Sequence, residues 1–550
     1  MTTKRGEILA AALGNCVHVG GVIHFLALAE KEGYTTKFLG PAVSVTDFLS
    51  AVEAAKPEIA AVSYRLTPDN CRSILDTFVA EVRKRGLDKS VRFVFGGVRK
   101  NAEIAREYGL FEYISDGTDD IDDSIAFLLG HVRENGEITY PDNIVGRIAA
   151  KYPYPVLRHH FGLPSFDETL KGIGKIAESR VLDVVSIGPD QNTQQFFFKP
   201  EKRDAALEGA GGVPIHTREE FIELKKAAQC GNFPLLRCYS GTADVFDMAK
   251  MLTETIDNAW CAVPLCWYNE IDRRGTRTIE ESVDEALRLI RWHAQRNIPV
   301  EVNEPHHWGL RDAHDVMPVV ASYISAYNAK SAGVKNYISQ YMFNNPNTLS
   351  FSMDLARVLA MIEMTESLCD DTFNAYREVR AGLPFLSGDL DVAKGQLAAS
   401  TALAMNVHPH IIHVVGFSEA EQAATAEIVI ESCKIVRGVI RSVLDGAPRQ
   451  ELDEVVQRRK EELVCEAQYT LNYITERYSS EFDDPLCEPF VIADCVKCGI
   501  LDAPHIVKNE KFRGNLKTAV IGGASKAVDE SGIPLTEAER LERLAPSSVK

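Results

Sequence analysis

From about residue 6 to residue 443 the chain alternates short, continuous apolar runs with longer segments whose apolar residues recur at helical spacing. That alternation admits few folds. A strand that is apolar on both faces must be covered on both, and the crossover helix that does so makes the strands parallel, so the class is α/β. Between 6 and 130, strands are read at 7–13, 59–64, 91–96 and 111–115, with helical patterns over 51–55, 71–84 and 102–108. This predicts a doubly wound, Rossmann- or flavodoxin-like domain. Asp116 to Asp123 is acidic and turn-rich. From 181 the rhythm lengthens, with strands read at 184–188, 233–238, 260–267, 299–303, 334–340 and 410–416, and helices at 280–295, 315–330, 352–366 and 419–443. Repeated strand–helix units over roughly 300 residues predict a (β/α)8 TIM barrel. The expected organisation is therefore an N-terminal domain over 1–135, a linker over 136–180, a barrel over 181–485, and an extension over 486–550 that packs on the barrel. The linker is read from Tyr140, Pro141, Tyr152, Pro153, Tyr154 and Pro155.

Gly14-Asn15-Cys16-Val17-His18-Val19-Gly20-Gly21 joins the first apolar run to the helical pattern that starts at Val22. It is a Gly-rich strand-to-helix turn at the carboxyl end of a parallel strand, where open α/β sheets bind ligands. Glycine lets backbone approach a ligand closely, and a His on such a turn projects toward it. A second run, Pro57 to Tyr64, carries a hydroxyl at Ser63, and a third, Val91 to Gly97, ends in the pair Gly96-Gly97. His-x-x-Gly, a Ser about forty residues on and Gly-Gly about thirty further resembles the cobalamin-binding domain of corrinoid enzymes. The resemblance implies that His18 ligates cobalt in place of the cofactor's own lower ligand. Gly21, Ser63, Gly96 and Gly97 would then surround the displaced nucleotide tail. Cys16 stands where that family has an Asp that accepts the ring N–H, and Arg65 where it has a Leu. The alternative is a flavodoxin-like domain whose turn binds a phosphate or nothing.

Barrel active sites lie at the carboxyl ends of the strands. The polar residues there are Asp190, Gln191, Arg237, Tyr268, Asn303, Glu304, His306, His307, Gln340, Asn344 and Asn345. Residues 237–357 resemble the catalytic subunit of glutamate mutase (methylaspartate mutase). The resemblance runs through Arg237 to Asp244, Trp267-Tyr268-Asn269, Thr278 to Ser282, Val302-Asn303-Glu304-Pro305 and Ser331 to Asn336. It continues weakly through Leu397 to Ala404 and Ser418-Glu419-Ala420. It implies an adenosylcobalamin-dependent radical rearrangement in a closed, dry barrel mouth. Arg237 matches a substrate-carboxylate arginine, Tyr268 a pocket tyrosine, Glu304 a buried glutamate beside the substrate, and Glu419 a glutamate that holds the adenosyl ribose.

Other positions depart from that family. Its two further arginines fall near Gln194 and in Gly211 to Pro214, its amino-group glutamate at Ala262, and its ribose lysine near Val414 or Val415. The expected substrate is thus a small carboxylic or amino acid other than glutamate: one Arg, Arg237, suggests a monocarboxylate, or a substrate gripped by neutral donors, with Gln191, Gln194, His306, His307, Gln340 and Asn344 as the candidate substrate-binding residues.

Composition narrows the classes further. The chain has 550 residues and a net charge of −18, which disfavours a nucleic-acid partner. No run reaches the ~18–20 apolar residues that span a membrane. Twelve scattered Cys and a start without a signal-peptide pattern predict a cytoplasmic enzyme with reduced thiols. Glu304, His306 and His307 could instead form a metal site, and Cys495-x-x-Cys498 is a lone Cys pair. A Cys-x-x-x-Cys-x-x-Cys triad is absent, which disfavours a radical S-adenosylmethionine enzyme. Competing readings are a corrinoid methyltransferase, although only about six residues precede the first strand, and a non-catalytic cobalamin-binding protein. A homodimer is expected because cyclic dimers are the commonest assembly.

Overall fold

The computed structural model describes residues 5–117, 121–130, 140–239, 241, 243–506 and 512–544. Residues 118–120 of the acidic turn, 136–139 of the expected linker, and Ser240 and Thr242 lie outside the described residues. The chain forms two compact units, 1–139 and 140–550.

The first unit is built on β1 (Glu7–Ala12), β2 (Thr35–Phe38), β3 (Ile59–Tyr64), β4 (Arg92–Gly97) and β5 (Phe111–Ser115). They form one parallel sheet in the order β2-β1-β3-β4-β5. This is the flavodoxin-like order, with its topological switch between β1 and β3. Alternate residues serve opposite faces: Leu9, Ala60, Val62 and Phe93 pack in one core, Ile8, Ala10, Ile59 and Ala61 in the other. β2, with the sequence Thr-Thr-Lys-Phe, is not legible as an apolar run because an edge strand with no buried residue needs only backbone pairing.

The second unit carries an eight-stranded parallel sheet. Its strands are β6 (Val156–Phe161), β7 (Val184–Ile187), β8 (Leu235–Arg237), β9 (Cys261–Val263), β10 (Val300–Val302), β11 (Asn336–Phe343), β12 (Asn374–Ala381) and β13 (Ile411–His413). The order β8-β7-β6-β13-β12-β11-β10-β9 is that of a barrel cut between β8 and β9. A side chain stitches the cut. Asn258 accepts the Cys238 N–H at 2.8 Å and donates to the Cys238 carbonyl at 3.0 Å, beside Ala259 N–H to Leu236 carbonyl at 3.0 Å.

Two strands depart from the sequence reading. The expected linker holds the helices Ile144–Lys151 and Phe166–Ser179 with β6 between them, and β6 sits inside the sheet between β13 and β7. β12 also falls between the strands read from sequence. Both were hidden for one reason: β6 contains Arg158, His159 and His160, and β12 contains Arg377, Glu378 and Arg380, so neither is an apolar run. The helix expected from Glu419 begins at Ala426, capped by Thr425, which leaves Glu419 in a turn.

The barrel interior is layered. Ile144 and Ile148 of the first helix close its amino end against Val156, Val184, Trp260, Ile338 and Ile411. The extension supplies the helices Pro489–Cys498 and Glu537–Glu542 and the hairpin β14 (Thr518–Ile521) and β15 (Ala524–Ala527). It is tied to the barrel helices through Asp315 N–H to Ser525 carbonyl at 3.0 Å and through the buried Glu537 carboxylate, which takes His314, Thr470 and Arg540. Among the described residues, no helix is long and apolar enough to cross a membrane.

Candidate functional site

In the first unit, β1 delivers the chain into the glycine turn. Cys16 is buried and pinned: its N–H bonds the Leu13 carbonyl at 3.1 Å, its carbonyl accepts the Ala42 N–H at 2.9 Å, and its sulfur accepts the Arg65 N–H at 3.3 Å. His18, two residues on, is exposed, with Nδ1 3.9 Å from the Cys16 sulfur. The helix Gly20–Lys31 then starts with no side-chain cap. A Cβ at Gly20 or Gly21 would meet no atom within 4 Å.

Beside this turn, Ala12, Ser63 and Gly96 lie in one row across β1, β3 and β4, above the row Ala10, Ala61 and Val94. Small side chains therefore line the carboxyl end of this sheet face. The Ser63 hydroxyl is buried there with no hydrogen-bond partner among the described residues. The glycine pair divides its work. A Cβ on Gly96 would touch only Ser63, at 4.0 Å, whereas one on Gly97 would strike the Phe95 ring at 2.8 Å and the Tyr64 carbonyl at 2.9 Å. Gly97 is therefore a packing glycine on the face opposite to Gly96.

Inside the barrel, above the apolar floor, runs a ring of matched charges. Arg158 Nε donates to Glu378 Oε1 at 2.6 Å and Nη1 to Ser186 Oγ at 3.1 Å. Arg237 Nη2 donates to Glu301 Oε2 at 2.7 Å, which also accepts Trp260 Nε1–H at 2.8 Å. Gln340 Nε2 bridges Glu301 at 2.9 Å and Glu378 at 3.3 Å. Two arginines thus meet two carboxylates. Burial pushes Arg158 down to about 10, where it stays protonated at neutral pH, and pushes Glu378 up against the pull of Arg158.

The mouth lies at the strand ends. His160 and His413 stack with centroids 4.8 Å apart. His160 stays solvent-accessible although Arg158, Arg237 and Arg380 surround it, so it faces an open space. His306 and His307, on the short helix Pro305–Gly309, stand 4.3 Å apart, and Tyr268 meets His307 edge-on at 5.6 Å. Depth in the barrel, then neighbouring cations, hold His160, His306 and His413 well below the usual range; for His307, burial and then the His306 ring do the same. The shift in each case favours the neutral imidazole.

Glu304 is buried and fully engaged. Oε2 accepts the N–H groups of Leu265 and Cys266 at 3.2 and 3.0 Å, and Oε1 accepts Trp308 Nε1–H at 2.9 Å. It braces the loop that carries Tyr268, and both oxygens being taken argues against the metal reading. Among the described residues, no group of three His, Cys, Asp or Glu is placed to hold a metal. Gln194 joins the mouth by accepting the Tyr239 hydroxyl, whose ring lies 6.4 Å from Tyr268.

The remaining candidates are placed differently. Gln340 lies in the ring beneath the mouth, Asn344 accepts Ser400 Oγ–H at 2.6 Å, and Gln191 is exposed on its helix. Glu419 accepts the Gly416 N–H at 2.9 Å and lies 3.3 Å from His159 Nε2. Arg237, singled out as a substrate arginine, has Glu301 as its carboxylate. The residues missed from sequence are Arg158, Glu301, Glu378, Arg380, His160 and His413. For Arg158, His160, Glu378 and Arg380 the signal is a polar residue at every second position, visible only once β6 and β12 are known to be strands, whereas Glu301 and His413 lie on strands already read from sequence.

Around these strand ends several buried polar atoms have no hydrogen-bond partner among the described residues: Asn303 Oδ1, His306 Nδ1, His307 Nε2, Gln340 Oε1, Glu378 Oε2 and His413 Nδ1. Such atoms are costly unless a ligand or water meets them, which is the property of a polar binding cavity.

No protein-family model and no curated protein matches the chain. Among solved structures, it is similar to a cobalamin-binding protein from Desulfitobacterium hafniense, with 28% identity over 22% of this chain and 56% of that one, at a TM-score of 0.20. It is similar to the methanol:cobalamin methyltransferase complex MtaBC from Methanosarcina barkeri, with 18% identity over 25% of this chain and 50% of that one, at 0.21. It is also similar to the cobalamin-dependent S-adenosylmethionine radical enzyme OxsB, with 12% identity over 80% of this chain and 56% of that one, at 0.18. The chain thus spans between 50% and 56% of the length of each. At these TM-scores the likenesses lend no weight to a functional reading.

Proposed function

We propose that this chain is an adenosylcobalamin-dependent isomerase, a carbon-skeleton mutase acting on a small carboxylic or amino acid other than glutamate. The observation that carries the cofactor assignment is the row Ala12, Ser63 and Gly96, in which a buried hydroxyl without a partner faces the space that a glycine leaves. The residues there fit the group. His18 offers an exposed imidazole as the cobalt ligand, Cys16 backs its Nδ1, and Ser63 and Gly96 suit the nucleotide tail. When bound, adenosylcobalamin supplies a carbon radical through homolysis of its cobalt–carbon bond.

The rest falls to the barrel residues. The apolar floor and the charge-matched ring close the amino end to water. Glu304 holds the Tyr268 loop in place. The neutral His306 and His307 hydrogen-bond a substrate without adding charge beside a radical.

Absorbance spectra of the full chain titrated with adenosylcobalamin, beside His18→Ala, test the reading. The expected spectrum is base-off with histidine on cobalt in the wild type, and without histidine in the variant. No corrinoid binding at any concentration overturns it. An organic-radical signal in electron paramagnetic resonance with one small acid supports the isomerase; methyl transfer without a radical would assign a corrinoid methyltransferase instead.

A further inference from the structure

We propose that Arg380 on β12, rather than Arg237, anchors the substrate carboxylate, and that the substrate is a monocarboxylic acid. This rests on the reading above that the barrel mouth takes a small acid.

The arginines around the barrel mouth differ in what closes their forks. Arg158 and Arg237 are closed by Glu378 and Glu301 at 2.6 and 2.7 Å. Arg311 donates to the His307 carbonyl at 2.8 Å, and Arg311 and Arg274 each stand 3.8 Å from Asp272. Arg311 also lies 3.8 Å over the Trp267 ring, and Arg274 4.8 Å over Tyr268. Arg380 differs. Its Nε donates to the Ala381 carbonyl at 3.2 Å, and among the described residues its two terminal nitrogens have no hydrogen-bond partner and no carboxylate within 4.0 Å. It follows Glu378 by two residues, so it shares the inward face of β12 one step nearer the mouth. In register it pairs with His413, whose ring stacks on the accessible His160.

Among the described residues, no carboxylate closes on it within 4.0 Å. The ring beneath is already neutral. Glu419, whose charge also acts on Arg380, is held aside by the Gly416 N–H next to His159 and forms no ion pair with the guanidinium. The neutral His160, His306 and His413 add no charge. A half-buried guanidinium with an open fork is matched by a carboxylate, which it binds through two parallel charge-assisted hydrogen bonds. A second carboxylate would need a second open fork. His306 Nδ1 and His413 Nδ1, buried without partners, instead suit an uncharged hydrogen-bonding substituent.

Calorimetric titration of the full chain with 3-hydroxybutyrate and with glutarate tests this, alone and after loading with cobalamin. The expected result is 3-hydroxybutyrate binding, with glutarate at least about tenfold weaker, and loss of about tenfold or more in Arg380→Gln with partial retention in Arg380→Lys. Should the variants not fold, phenylglyoxal labelling of the wild type, read by peptide mass spectrometry, gives the second measurement. Arg380 is then labelled and protected by 3-hydroxybutyrate, and Arg237 is not labelled. Absence of binding to the wild type, tighter binding of glutarate, unchanged binding in Arg380→Gln, or labelling of Arg380 without protection overturns the proposal. Acid binding through Arg380 in a chain that takes up no cobalamin leaves the anchor standing while the isomerase reading falls. Cobalamin uptake without acid binding does the reverse.

Discussion

Arg237 Nη2 and Glu301 Oε2 lie 2.7 Å apart inside the barrel, with both residues at most 3% exposed. The arginine that the sequence offers as a substrate clamp is therefore half of an internal ion pair. Its loss is expected to act on stability first. Arg237→Gln strands Glu301 with two neutral donors and no cation, which costs about 3–5 kcal/mol. Denaturant unfolding of the full chain should show a lower midpoint, partly restored in Arg237→Gln/Glu301→Gln. A variant that unfolds at the wild-type midpoint but no longer binds acid would return Arg237 to the substrate.

Ser63 should separate apo stability from cofactor binding. Its hydroxyl is buried without a partner, so Ser63→Ala removes an unsatisfied group and leaves the apo chain as stable or more stable by up to about 1 kcal/mol. The same change should weaken corrinoid uptake, and Gly96→Val should block it by filling the slot. Thermal melting and absorbance titration on the same samples check both signs; equal corrinoid affinity in all three proteins would refute the slot.

Cys16 sits where a carboxylate would accept the His18 ring N–H, 3.9 Å away. Cys16→Asp supplies that acceptor, and the Arg65 N–H can bond it too. Partners of this kind are worth about 10–100-fold in metal affinity. Tighter binding of adenosylcobalamin and a fuller histidine-on spectrum are expected. Weaker binding would mean that the sulfur itself is the better neighbour.

Glu537 makes the carboxy-terminal clamp sensitive to acid. Burial alone would raise its carboxyl, but His314 and Arg540 outweigh burial and hold it below the usual carboxylate range. A group whose folded pKa is depressed contributes stability that is present above its unfolded value, about 4.3, and is lost as pH falls below it. Stability measured from pH 6 down to pH 3 should therefore decline, and Glu537→Gln should flatten that limb while lowering the plateau. An unchanged acid limb would show that the clamp does not report on Glu537.

Much of the architecture is legible in the chain because it follows from apolar periodicity. The β1, β3 and β4 runs and most barrel strands are largely apolar stretches, and a doubly covered parallel sheet demands such stretches. Cys16, His18, Ser63 and Gly96 stand at or just past the carboxyl ends of those strands, so their place on that edge could be read from position. Glu304, His306, His307 and Tyr268 follow β9 and β10, and the structure brings them together for the same reason.

What only the tertiary structure decided is which polar residues answer one another. In sequence, Arg158, Glu378 and Arg380 make their strands look like surface, and 220 positions separate Arg158 from the Glu378 carboxylate that neutralises it. Barrel closure sets those strands side by side, turns every second residue inward and lets opposite charges cancel. Among the described residues, the Arg380 guanidinium on β12 is left without a carboxylate. Periodicity determines which segments are strands and helices, because burial repeats along the chain. It cannot determine the partner of a buried charge, because that partner is chosen by a register between strands far apart in sequence.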